Sequence, residues 1–135
     1  MTPAELTAHI HRGLPLTASW GIEVLSAGDG KATLRLPANP DLLRPGPTVS
    51  GPALMGLADV AIWVALTAVT EGREDALTSN LSTTFMRPAG AGAVRAEARL
   101  VRHGRRSLYA EVWLFSEGAA EPCAHVTSSW TRPAR

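Results

Sequence analysis

A chain of 135 residues, 45% of them apolar and 19% charged, has material for one packed domain over residues 1–135 and not for two. Its 13 basic and 12 acidic residues leave a net charge of +1, which excludes the strong field of a nucleic-acid or membrane-surface binder. The single cysteine, Cys123, excludes an internal disulfide and points to a reducing cytoplasm.

The opening stretch MTPAELTAHIHRG lacks the apolar run and cleavage site of a secretory signal. Residues 3–12 are expected to form a short helix with Thr2-Pro3 at its start, ended by Gly13 and Pro15. Residues 22–25 read as a strand, followed by a turn at Gly28-Asp29-Gly30. From Lys31 the alternation is strict, with Ala32, Leu34 and Leu36 on one face and Lys31, Thr33 and Arg35 on the other. That pattern predicts a hairpin with one buried face.

Residues 37–52 carry Pro37, Pro40, Pro45, Gly46, Pro47, Gly51 and Pro52, a density of breakers that predicts a loop without regular structure. Loops of this length inside a compact domain are often functional. Residues 52–70, PALMGLADVAIWVALTAVT, are apolar on nearly every side, so the helix they form must be surrounded by other structure. The same stretch nearly has the length of a bilayer span. However, Asp59 at its centre would cost about 3 kcal/mol in lipid, and no Lys, Arg or aromatic anchors flank it, so a buried core helix is expected.

The polar run EGRED ends the helix, and strands resume. Over residues 77–86, simple alternation places Thr78, Asn80, Ser82 and Thr84 on one face. Val94, Ala96, Ala98 and Leu100 alternate with Arg95, Glu97 and Arg99, a turn follows at His103-Gly104-Arg105-Arg106, and Leu108, Ala110, Val112 and Leu114 alternate again. A last strand covers 123–131. Two strands before the helix and about four after it are satisfied by a sheet wrapped around that helix. Tyr109, Trp113 and Phe115 then fall on the outer face, where an aromatic stripe suggests a subunit contact.

Asp59 lies two turns into the helix, too deep to cap it. A carboxylate there needs hydrogen-bond partners, a raised pKa or a polar cavity. Burial alone fits a structural Asp bonded to a neighbouring strand as well as a functional one. In Ser50-Gly51-Pro52 the proline has no N–H, so Gly51 is the donor at the helix N-terminus, suited to a developing oxyanion; the same residues also make an ordinary tight turn. The hydroxyl-rich face at Thr78 and Asn80 suits a water or a carbonyl, or simply solvent. Arg102, Arg105 and Arg106 around Gly104 suit phosphate, or solubility. Leu54, Met55, Trp63 and Phe85 fit an apolar pocket or the core equally.

Other chemistries lack their parts. His9, His11, His103 and His125 are scattered without zinc-ligand spacing. Phosphate-loop, dinucleotide and serine-elbow motifs are missing. Cys123 has no activating partner in the sequence. No metal or other cofactor is expected.

Three segments, SGPALMGLADVA, TSNLSTTFMRPA and VRHGRRSLYAEV, stand in an order and spacing by which the chain from about Trp20 to Trp130 resembles the PaaI-like hotdog thioesterases of phenylacetate degradation. The resemblance implies an α+β hotdog fold, with a short N-terminal helix and a long central helix wrapped by a curved antiparallel sheet. It implies an acyl-CoA substrate and a homodimer or homotetramer with active sites shared between subunits. By the same resemblance Asp59 is the general base or nucleophile, and the Gly51 N–H binds the thioester carbonyl. Thr78, presented from the neighbouring subunit, orients the water, and Arg105 and Arg106 meet the coenzyme A nucleotide.

The sequence departs from the family where His-Gly-Gly becomes Ser50-Gly51-Pro52. It departs again where a polar residue, often Asn, falls at Arg44, with Asn39 the alternative if the loop is shifted. Ser50, Arg44 and Asn80 complete the substrate-binding candidates. The expected activity is hydrolysis of an aryl- or short- to medium-chain acyl-CoA. The alternative is a non-catalytic acyl-CoA or acyl-carrier binding protein. A hotdog dehydratase would want a His paired with the acid, and none lies near Asp59 in this pattern.

Overall fold

The computed structural model describes residues 1–134. Helix α1 (Pro3–Gly13) starts at a capping box, in which Thr2 Oγ1 accepts the Glu5 N–H and the Glu5 carboxylate accepts the Thr2 N–H. Its apolar face buries Leu6 and Ile10. Pro15, expected only to end this helix, also begins a second short one, α2 (Pro15–Ser19), because proline's fixed φ suits a first helical position.

Strands β1 (Glu23–Gly28) and β2 (Lys31–Leu36) form a hairpin around Asp29 and Gly30, both at positive φ (53° and 74°). Asp-Gly tolerates that geometry, which matches the twist of the flanking strands. The proline-rich segment is more ordered than the sequence implied. Asn39 caps a 3-10 turn (Pro40–Leu42), and β3 (Leu43–Arg44) pairs with β4 (Thr48–Val49) across Pro45-Gly46-Pro47. The breakers sit at turn positions, where they set φ without removing a needed donor.

Helix α3 (Gly51–Val69) follows, then β5 (Leu77–Phe85), β6 (Val94–His103), β7 (Ser107–Ser116) and β8 (Ala124–Thr131). Six strands make one antiparallel sheet in the order β1-β2-β6-β7-β8-β5. The alternation read in the sequence becomes rows across it. Leu34, Ala96, Leu114 and Ala124 are successive cross-strand partners, and each is fully buried. These rows close on α3, which has the length and composition of a membrane span but buries Leu57, Ala58, Ala61, Ile62 and Leu66 inside the protein. This is the α+β hotdog arrangement, with a central helix wrapped by the sheet.

Strand β5 lies at the sheet edge, and a bulge there overturns the simple alternation. Thr78 pairs with Trp130, whose ring is buried, while Asn80 pairs with Ser129, the register shifting between them. Thr78 therefore shares the inward face with Leu81 and Thr83, and Asn80, Ser82 and Thr84 face outward.

Candidate active site

Asp59 is the only charged residue of α3. Eight residues from the helix start, it emerges on the face turned toward the first residues of β5, where Thr78 Oγ1 donates to its Oδ1 at 2.6 Å. The bulge makes this bond, because without it Thr78 would follow Asn80 to the outside. The resemblance implied that this hydroxyl comes from a neighbouring subunit; the contact is made within one chain. Burial drives the Asp59 carboxyl above its ordinary value, and the Thr78 hydrogen bond only partly opposes that.

Around the pair lies a cleft of about 320 Å³. Leu14, Val60, Trp63, Leu77 and Trp130 supply its apolar wall, and Glu74 and Asp75 its polar rim. Gly13 lets the end of α1 close against Trp63, since a Cβ there would stand 3.1 Å from the indole.

Gly51 occupies a different cleft. Ser50 caps α3, its Oγ accepting the Ala53 N–H at 3.4 Å, and its own N–H is tied to Leu42. The Gly51 N–H takes no acceptor among the described residues. Gly51 lines a cavity of about 600 Å³ together with Arg44, Val49, Leu54, Phe85, Met86 and Arg87, among others. The Phe85 ring lies against Gly51, where a Cβ would be 3.3 Å from Cζ. Arg44 is exposed, its Nε donating to the Pro45 carbonyl. Asn39, the alternative to it, is committed to capping the Asp41 N–H.

The sequence-derived site thus divides. Asp59 and Thr78 share one cleft; Gly51 and Arg44 share another, beside the capping Ser50. Eight residues along a helix separate Asp59 from Gly51 by about 12 Å. Asn80 joins neither, because the bulge turns it to the exposed outer face of the sheet. Arg105 and Arg106 are exposed on the β6–β7 turn and line a cavity of about 240 Å³ with Arg132 and Pro133.

Glu74 and Arg132 went unnoticed in the sequence. EGRED reads as a polar helix terminator, and no spacing rule pairs residues 58 positions apart. Arg87 was also missed; the only sign of it was a cation placed just after a strand with a polar face. Among the described residues no group of three His, Cys, Asp or Glu is placed to hold a metal ion. Cys123 is buried, and burial pushes its thiol up, away from nucleophilic chemistry.

An Asp held by a hydroxyl in a half-enclosed cleft can take a proton from water. A free amide at a helix N-terminus can polarise a carbonyl. The sequence pattern of the Thioesterase superfamily matches residues 46–123, which contain both. A candidate esterase of Thermoplasma acidophilum is 32% identical over 91 residues, covering 67% of each chain. Among solved structures, a candidate thioesterase from a Silicibacter species superposes with a TM-score of 0.87 at 32% identity, covering 99% of this chain and 93% of that one. A point mutant of the phenylacetic acid degradation protein PaaI from Thermus thermophilus gives 0.77 at 30% identity, covering 88% and 99%.

Proposed function

The chain belongs to the Thioesterase superfamily, as a PaaI-like hotdog thioesterase, and from that premise we propose that it hydrolyses acyl-CoA thioesters with Asp59 as general base. The observation that carries the reading is the Asp59–Thr78 pair at 2.6 Å in the mouth of a cleft, with burial raising the carboxyl toward the range of a working base.

The reaction proceeds as follows. A water beside Thr78 loses a proton to Asp59 as its oxygen bonds to the thioester carbon. The carbonyl oxygen gathers negative charge and accepts a hydrogen bond from a Gly51 amide at the dipole-positive end of α3. The C–S bond then breaks and coenzyme A leaves as a thiolate, good enough to depart without a dedicated acid. The proton held by Asp59 passes to the departing thiolate or to solvent.

Within one chain the base and the amide, about 12 Å apart along a helix, cannot reach the same carbonyl. The amide is therefore Gly51 of the partner subunit. Strand β5 supports this geometry: it is a nine-residue edge with unpaired backbone groups, the kind of surface that pairs with a second copy. A homodimer through β5, or a tetramer built from two such dimers, lays two antiparallel copies of α3 side by side and assembles two shared sites. Arg105 and Arg106 are the proposed contacts for the nucleotide phosphates. Arg44 and Ser50 border the substrate at the Gly51 end. The acyl group is aryl or short- to medium-chain, in keeping with apolar walls of modest volume. The lone reduced cysteine supports a cytoplasmic site of action.

Thiol release from a panel of aryl- and alkyl-CoA esters, measured on wild type and Asp59→Ala together, tests the reading. Asp59→Ala should lower turnover by about two or more orders of magnitude, the usual contribution of a general base. Wild-type turnover in the variant would reject Asp59. Binding of the esters without any release by wild type would favour the non-catalytic acyl-CoA or acyl-carrier binder. The feature that favours that second reading is Ser50, which stands where the family has histidine and whose hydroxyl is already engaged as a helix cap.

A further inference from the structure

The side chains of Glu74 and Arg132 are 1% and 13% exposed and meet in a two-pronged ion pair. Arg132 Nη2 donates to Glu74 Oε1 at 2.7 Å, and Arg132 Nε donates to Oε2 at 2.9 Å. A buried ion pair often stabilises a protein no more than well-packed apolar residues of the same volume, so its value here is sought in what it holds in place.

On one side it holds the arginine turn. Arg132 Nη1 donates to the carbonyls of Gly104 and Arg105, Nη2 donates to His103 Nε2, and the Arg132 backbone N–H donates to the Arg106 carbonyl. Arg132 also forms part of the two cavities that Arg105 lines, one with Arg106 and the other with Arg73 and Thr70. On the other side the pair holds the approach to Thr78. Glu74 Oε2 accepts the backbone N–H groups of Asp75 and Ala76, and residues 73–76 have no regular secondary structure of their own. Two residues further on, Thr78 reaches Asp59, and Glu74 itself lines the Asp59 cleft. Thr78 also pairs across strands with Trp130, two residues before Arg132. One guanidinium–carboxylate pair thus connects the proposed nucleotide contact to the hydroxyl that holds the proposed base.

We infer that Glu74 and Arg132 are positioning residues, a clamp that fixes Thr78 on Asp59 and ties that placement to the arginine turn. This inference rests on the thioesterase reading of the Asp59 cleft. A phosphate-bearing substrate that orders the turn would then also firm the placement of the base, so the nucleotide would raise kcat as well as lower KM.

The test uses Arg132→Lys, which keeps the charge but loses the fork, and Glu74→Gln, which keeps the shape but loses the charge. Each is assayed on an acyl-CoA and on the same acyl group carried by N-acetylcysteamine, which lacks the nucleotide. In variants shown by melting to be folded, kcat should fall about tenfold on both esters, the scale of loss for a slightly misplaced group. The advantage of the CoA ester in both kcat and KM should also narrow. In parallel, carbon-13 NMR of the Asp59 carboxyl should show its titration midpoint moving upward in Arg132→Lys, which leaves every charge in place, because the Thr78 bond that lowers it is loosened.

A folded variant with wild-type kcat and an unmoved Asp59 midpoint overturns the inference. So does a change in KM alone, or a loss of kcat in Arg132→Lys with the midpoint unmoved. Because the NMR measurement needs no turnover, a wild type that hydrolyses nothing condemns the thioesterase reading while the midpoint still decides the clamp.

Discussion

Asp59 places a carboxylate where ionisation is unfavourable, and the resulting pH dependence has a definite sign. Burial raises its folded value above the ordinary 3.8, against the smaller pull of Thr78. Between those two values the folded chain binds more protons than the unfolded one, so stability falls as pH rises through that window. Asp59→Asn should therefore melt higher than wild type at neutral pH while losing turnover, and the gain should vanish below the ordinary carboxylate range. Equal or lower melting of the variant at pH 7 would contradict the burial argument. Thr78→Val removes the hydrogen bond that lowers the carboxyl. The acid limb of its kcat/KM profile should move to higher pH, with kcat lowered because the base is less well held. An unmoved limb would separate Thr78 from the base. Asp59 was legible in the sequence because a lone charge in an apolar run stands out. Thr78 was legible as a residue but not as a partner, since its orientation depends on a bulge.

At the scale of elements, period explains what could be read and what could not. The inward rows of β2, β6 and β7 follow strict alternation, and α3 is apolar on nearly all sides because the sheet surrounds it. Alternation fails at β5, where one extra residue between Thr78 and Asn80 reverses every later side chain. A single sequence carries no mark of that insertion, so Asn80 was grouped with Thr78. In the 37–50 segment, counting breakers missed that proline at a turn position favours order. Packing also reverses a helix rule at Gly56. Replacing a glycine inside a helix by alanine usually gains about 1 kcal/mol. Here the new Cβ would lie 2.9 Å from the Trp20 ring, closer than van der Waals contact allows, so ring or helix must shift. Gly56→Ala should instead destabilise by about 1–3 kcal/mol, the cost of overpacking. Combining it with Trp20→Leu should bring the denaturation midpoint close to that of Trp20→Leu alone. A Gly56→Ala chain more stable than wild type would show that the ring moves freely.

For the whole molecule the decisive relation is the 12 Å, in round terms, between the two ends of the proposed site on one helix. The resemblance supplied both residues, and the structure adds that Thr78 stands on the same chain as Asp59. On the proposed reading Asp59 and Thr78 make one half of the site, and Gly51 of the partner subunit makes the other. Intersubunit complementation follows from that division. Gly51→Pro deletes the amide at the first residue of α3, and Ser50 before it already has the extended backbone that a following proline requires (φ −68°, ψ 155°). Because the new ring also meets Phe85 and precedes Pro52, the fold of the variant is checked by melting. Chains carrying Gly51→Pro alone or Asp59→Ala alone should each be nearly inactive. In a mixed dimer, one site combines the intact Asp59 of the first with the intact Gly51 of the second, while the other site carries both lesions. Random pairing of equal amounts makes half of the dimers mixed, so co-folded chains should recover about a quarter of wild-type activity under two-fold symmetry. Equal amounts of the two chains, folded together and assayed for thiol release without selecting the mixed dimers, provide the measurement. Recovery near that fraction would establish a shared site. A mixed dimer as inactive as its parents would mean that base and amide act from one chain, which no thioester could span without a large rearrangement of α3.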